Sequence, residues 1–79
     1  MRITIKFFAM YREITGENDI TIEAEKGSTV ASLSKELSRK FPGFPSNPSM
    51  VAVNSEFVES DYKIKNGDEI AFLPPFSGG

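Results

Sequence analysis

Only one stretch of this chain repeats apolar residues at helical spacing over several turns: Val30, Leu33, Leu37 and Phe41, with Ser32, Lys35, Glu36, Arg39 and Lys40 on the remaining face. A stripe of this kind has to be buried against another element. On either side of it the chain alternates apolar and polar residues with the period of two that marks a strand buried on one face. One helix among short strands leaves one economical solution, the helix laid across one face of a sheet.

The helix carries its own punctuation. Ser28 or Thr29 offers an N-cap, Glu36 and Lys40 form a favourable i,i+4 pair, the late cations suit the negative end of the helix dipole, and Pro42-Gly43 stops it. These features stabilise a helix without implying chemistry.

Before the helix, residues 2–8 place Ile3, Ile5 and Phe7 on one face and Arg2, Thr4, Lys6 and Phe8 on the other. Residues 9–15 fit a short helical turn closed by Gly16. Residues 19–24 then direct Ile20, Ile22 and Ala24 inward, which predicts a second strand antiparallel to the first, and Lys26-Gly27 turns the chain. After the helix, the proline-punctuated residues 41–49 read as a packed connector. Residues 50–53 read as a short buried strand, Asn54-Ser55 as a turn, and residues 56–58 as an edge strand. Lys65-Asn66-Gly67-Asp68 is a further turn, its Asn-Gly pair supplying positive φ, and residues 69–73 form the last strand. This order fits an α+β roll of the β-grasp, or ubiquitin-like, class: a mixed sheet of about five strands with one main helix on one face, spanning residues 1–73.

In that architecture the first and last strands lie side by side and parallel at the centre of the sheet, a placement that comes from the fold. If Ile70 and Phe72 face the helix with Ile3, Ile5 and Phe7, then Leu73 faces away, as Phe8 does. Two large apolar side chains then share the outer face, a candidate partner-binding patch, although Phe8 could instead tuck beneath the following turn.

Residues 74–79, Pro74-Pro75-Phe76-Ser77-Gly78-Gly79, cannot continue the sheet, because proline has no N–H to give a ladder. Pro-Pro favours an extended geometry, so this tail is expected to project from the body and to reach about 20 Å at most. It ends slim, in two residues without side chains, on an ionised α-carboxylate. That carboxylate is a candidate reactive group; the plainer reading is a frayed end.

Composition removes most alternatives. Cysteine and histidine are both absent, which excludes disulfides, thiol nucleophiles, imidazole bases and almost every zinc or transition-metal site. The net charge is −2, and the half that bears the tail sets Lys63 and Lys65 against Glu56, Glu59, Asp61, Asp68 and Glu69. Nucleic-acid binding requires a basic footprint, and Lys35, Arg39 and Lys40 form only a solvated helix end. The first residues interleave charged and apolar types, without the continuous apolar run of a signal peptide or membrane span. A cytoplasmic protein that binds neither nucleic acid nor membrane is expected.

Phe7-Phe8-Ala9-Met10-Tyr11-Arg12-Glu13, Gly16, Val53-Asn54, and Gly67-Asp68-Glu69-Ile70-Ala71-Phe72-Leu73-Pro74-Pro75-Phe76-Ser77-Gly78-Gly79 together resemble the small subunit of molybdopterin synthase, the MoaD-type sulfur carriers. The resemblance spans the whole chain. It implies a co-substrate subunit that is no enzyme on its own. An E1-like enzyme would use ATP to adenylate the Gly79 carboxylate, and sulfur from a donor protein would displace AMP. The resulting thiocarboxylate would enter the large synthase subunit and give its sulfur to a cyclic pyranopterin phosphate. Residues Pro74, Pro75, Phe76, Ser77, Gly78 and Gly79 would occupy the partner's active site, and Phe8 and Leu73 the interface. The family carries an aromatic residue at the position of Leu73, so leucine there keeps apolar area and loses the ring. The resemblance implies no cofactor or metal bound by this chain. Arg12 and Glu13 are typical of the family, and a local ion pair explains them as well as a partner contact does. A terminal Gly-Gly is shared by sulfur carriers of other pathways, those of thiamine and tRNA thiolation, and by ubiquitin-like protein modifiers. A passive β-grasp module is the remaining alternative.

Overall fold

The computed structural model describes residues 1–75; the expectations for Phe76, Ser77, Gly78 and Gly79 lie outside the described residues. Seven elements follow the order anticipated above: β1 (Arg2–Phe7), α1 (Met10–Thr15), β2 (Asp19–Glu23), α2 (Val30–Lys40), β3 (Met50–Val53), β4 (Glu56–Phe57) and β5 (Glu69–Leu73). The strands form one mixed sheet in the order β2-β1-β5-β3-β4. β1 runs parallel to β5, with Ile5 opposite Ile70 and Phe7 opposite Phe72, and antiparallel to β2. No helix among the described residues is long and apolar enough to cross a membrane.

The inward alternation holds residue by residue. Ile3, Ile5, Phe7, Ile70, Phe72, Val51 and Val53 are buried, and they meet Val30, Leu33 and Leu37 of α2. Thr29 caps α2 reciprocally: its hydroxyl accepts from Ser32 N–H at 3.1 Å, and Ser32 Oγ accepts from Thr29 N–H at 2.9 Å. Phe41 is the C-cap rather than a helical position, and its N–H donates to Leu37. Ser34 is buried on the apolar stripe because its hydroxyl donates to the Val30 carbonyl at 2.8 Å, which satisfies it.

Two local expectations differ from the outcome. Among the described residues Glu36 and Lys40 form no ion pair; the Lys40 ammonium lies over the Phe41 ring, 5.7 Å from its centroid. An exposed pair stabilises so little that a nearby aromatic face can compete for the cation. In the turn before β5 only Gly67 takes positive φ, at 86°, and Asn66 does not. The Asn66 side chain instead accepts from Arg2 N–H at 2.8 Å, and Gly67 N–H donates to the Arg2 carbonyl at 2.8 Å. That turn is therefore stitched to the start of β1.

Candidate functional site

The end of β5 is where the chain leaves the body, and the register of the sheet determines what surrounds it. β5 is central, held by β1 on one side and by β3 on the other, with Leu73 opposite Met50 and Ala71 opposite Ala52. Pairing with β1 continues one residue past the strand, through a bond of 3.2 Å from Phe8 N–H to the Phe72 carbonyl. Phe8 thus stands beside Leu73. Residues opposite one another share a face, so two apolar rows cross the outer side of the sheet. One contains Phe8, Leu73 and Met50; the other contains Ala71, Ala52 and Phe57.

Phe8 is 40% exposed and does not tuck beneath the turn that follows. Phe57, at 67%, is the most exposed large apolar side chain among the described residues. Leu73 and Pro74 are half-buried and Pro75 is exposed. The ion pair between Lys6 and Glu69, at 3.4 Å, borders the patch. Phe57 and Met50 were not singled out from sequence. The sequence signal is weak: alternation in residues 50–53 turns Met50 and Ala52 away from the helix, but only the pairing across the Asn54-Ser55 turn puts Phe57 beside Ala52.

Beneath the same strand end lies an aromatic cluster. Phe72 packs against Phe44 at 5.2 Å between centroids, Tyr11 at 6.0 Å and Phe7 at 6.3 Å. Phe44 comes from the proline-rich connector, which is packed into the core as expected. Burial pushes the Tyr11 phenol above its ordinary pKa. With Phe72 fixed from below, Leu73 ends the strand and Pro74 leaves the sheet from a firmly packed base.

The loop that presents Phe8 is strained. Ala9 has φ 51° and ψ −121°, and Tyr11 N–H donates to the Phe8 carbonyl at 3.0 Å. These are the features of a tight turn whose second position favours glycine. Arg12 and Glu13 are both exposed on α1, and no ion pair joins them among the described residues.

The other end of β5 is fastened by Asp68, which is 6% exposed. Its carboxylate accepts from Lys65 N–H at 2.8 Å, Asn54 Nδ2 at 3.0 Å and the Tyr62 hydroxyl at 3.2 Å. Burial alone would raise its pKa. The bonds from Lys65, Asn54 and Tyr62, with the Lys65 charge, outweigh that and hold the carboxyl below the ordinary aspartate value. Asn54 Oδ1 accepts from Glu69 N–H at 3.0 Å, so the β3–β4 hairpin and the start of β5 are locked together.

The ThiS family model matches residues 5–79. The chain is 37% identical over 81 residues to the molybdopterin synthase sulfur carrier subunit of Arabidopsis thaliana, covering 100% of this chain and 84% of that protein. It is 35% identical over 83 residues to the subunit of the same name from Chlamydomonas reinhardtii, with 100% of both covered. Among solved structures, molybdopterin converting factor subunit 1 of Pyrococcus furiosus is similar with a TM-score of 0.85 at 26% identity, over 95% of this chain and 98% of that one. The ubiquitin-like roll, the full-length likeness and the family match agree: the chain belongs to the ThiS family, with the molybdopterin synthase sulfur carrier subunits as its relatives.

Proposed function

We propose that this chain is the sulfur-carrying small subunit of a molybdopterin synthase, and that its reactive group is the α-carboxylate of Gly79. The observation that carries the reading is the placement of the Pro74-Pro75 root at the end of a central strand, beside an exposed apolar patch of Phe8, Leu73, Met50 and Phe57. The body supplies a docking face, and Pro74-Pro75 continue from the strand beside it. The likeness to sulfur carrier subunits supports the chemistry.

The cycle begins when the Gly79 carboxylate attacks the α-phosphate of ATP on an E1-like activating enzyme; pyrophosphate leaves and a mixed anhydride forms. The outer sulfur of a donor protein's persulfide then attacks the acyl carbon and AMP departs; a thiol cleaves the resulting acyl disulfide, releasing the thiocarboxylate and leaving the donor as a disulfide. On the large synthase subunit that sulfur attacks a carbon of the cyclic pyranopterin phosphate and displaces the oxygen held there, so that a C–S bond replaces a C–O bond. Water then cleaves the acyl–sulfur bond and restores the carboxylate. A dithiolene holds two sulfur atoms and each thiocarboxylate delivers one, so each product consumes two charged chains. Residues Pro74 to Gly79 occupy the partner's channel, in which two glycines leave the narrowest possible thread. Phe8, Leu73 and Phe57 bury their apolar surface against the large subunit, the type of contact that dominates interface energetics.

Intact mass of the chain purified from cells with its activating enzyme tests this. A gain equal to the exchange of one oxygen for sulfur, mapped to the terminal peptide, is expected. An unchanged mass, or Gly-Gly remnants on lysines of other proteins with no thiocarboxylate, refutes it.

A further inference from the structure

β2 closes the sheet on the side away from β4, and one of its edges is free. The bonds to β1 fix which backbone groups point where. Met1 and Ala24 exchange both bonds, at 2.7 and 2.8 Å, and Phe7 N–H donates to the Asn18 carbonyl at 2.9 Å. In an antiparallel ladder such pairs recur at every second residue. With Ile3 opposite Ile22 and Ile5 opposite Ile20, the amides of Ile20 and Ile22 therefore address β1. Those of Asp19, Thr21 and Glu23 point outward, where no other strand of the described residues meets them.

Two further features accompany this edge. Between β2 and α2 runs a groove of about 150 Å³ walled by Ile20, Ile22, Leu33 and Leu37, with Glu36 and Lys40 at its rim. Ile20 and Ile22 face the helix yet are only half-buried, in contrast to the fully enclosed Ile3 and Ile5. On the outer face, charge alternates from strand to strand. Lys6 lies opposite Asp19, and Arg2 lies opposite Glu23 with Arg2 Nε 3.2 Å from Glu23 Oε2. Both rows reach the free edge on a carboxylate.

A second copy of this chain is a poor occupant. Two β2 edges paired antiparallel about Thr21 would set Asp19 of each copy against Glu23 of the other, and like charges directly opposite destabilise a sheet. We propose that the β2 edge docks an extended segment of a partner protein whose residues read basic, apolar, any, apolar, basic. Its main chain pairs with Asp19, Thr21 and Glu23. Its two apolar side chains fall beside Ile20 and Ile22 into the groove, and its two cations continue the charge rows past Asp19 and Glu23. This surface is separate from the patch on β5, β3 and β4, so a partner held here leaves the tail and its docking face free. The proposal stands independently of the sulfur-carrier reading.

The test is an NMR titration of the ¹⁵N-labelled full chain with a short capped peptide of lysine, valine, threonine, valine and lysine, and with its counterpart bearing glutamate for lysine. The lysine peptide is expected to shift the amides of Asp19, Thr21 and Glu23 and those of Leu33 and Leu37, and to slow hydrogen exchange at Thr21. The glutamate peptide is expected to bind about tenfold more weakly. The double variant Asp19→Lys, Glu23→Lys should reverse that preference. Absence of shifts at millimolar peptide, equal binding of the two peptides, shifts centred on Phe8 and Phe57, or self-association of the chain through β2 each overturns the proposal.

Discussion

Asp68→Asn is a nearly isosteric change, yet the geometry around Asp68 gives it no neutral solution. The carboxylate receives three donors, with Asn54 Nδ2 on one oxygen and Lys65 N–H and the Tyr62 hydroxyl on the other. An amide in its place keeps one acceptor oxygen. If that oxygen serves Lys65, the new NH₂ confronts Asn54 Nδ2; Asn54 cannot turn over, because its Oδ1 already accepts from Glu69 N–H. If it serves Asn54, the NH₂ confronts the Lys65 N–H. Either way two donors confront each other at this partly buried junction and one loses its acceptor, which costs about 2 kcal/mol. For a domain of this size that lowers Tm by about 8–16 °C. Thermal unfolding followed by circular dichroism at a series of pH values is the assay. The folded-state pKa of Asp68 lies below its unfolded value. Its contribution is therefore fully present above the unfolded pKa of about 3.9, and is lost as pH falls through the lower folded value. The gap between wild type and variant should stay constant from about pH 5 to 7 and shrink below about pH 4. A variant within about 2 °C of wild type at pH 7, or a gap indifferent to acid, would refute the reasoning.

Three other substitutions probe the turn before α1, the outer face of β4 and the tail.

 The first, Ala9→Gly, should relieve the strain of φ 51°, which costs an L-residue about 1–2 kcal/mol. Greater freedom of the unfolded chain takes back about 0.4–1 kcal/mol, so Tm should rise by a few degrees in a melting experiment; a fall would show that the turn is held differently. Phe57→Ser removes a side chain that is 67% exposed, so Tm should hardly move while affinity for the large synthase subunit, measured by calorimetry, falls about 30-fold, as for an interface hot spot. Unchanged affinity would take Phe57 out of the docking face. On the proposed function, Gly79→Ala should leave the melting curve intact and slow sulfur transfer, because even one methyl group would crowd a channel that admits glycine; wild-type turnover would argue against a close-fitting channel.

Much of the fold was legible because its sheet obeys a strict period of two. Ile3, Ile5 and Phe7, and later Ile70 and Phe72, announce which side faces the helix, and each is buried. The parallel pairing of β1 with β5 was not encoded locally and came from the architecture. Less legible were residues whose role depends on long-range neighbours. Asp68 reads as an ordinary turn aspartate, and only the approach of Asn54 and Tyr62 makes it a buried junction. Phe44 sits among prolines in what reads as a packed connector, yet nothing local marks it as the ring that the aromatic cluster encloses. Ala9 gives no warning of a left-handed φ, because alanine is not the residue that conformation prefers. At the candidate site, Phe8 and Leu73 followed from alternation, whereas Phe57 required the register of β3 with β4, which a two-residue strand barely signals.

The position of β5 has a mechanical consequence. A load applied along β5 acts on a strand flanked by neighbours on both sides, β1 parallel and β3 antiparallel. Such a load falls lengthwise on both ladders together, instead of peeling an outermost strand one bond at a time. A body built this way resists unravelling from that end.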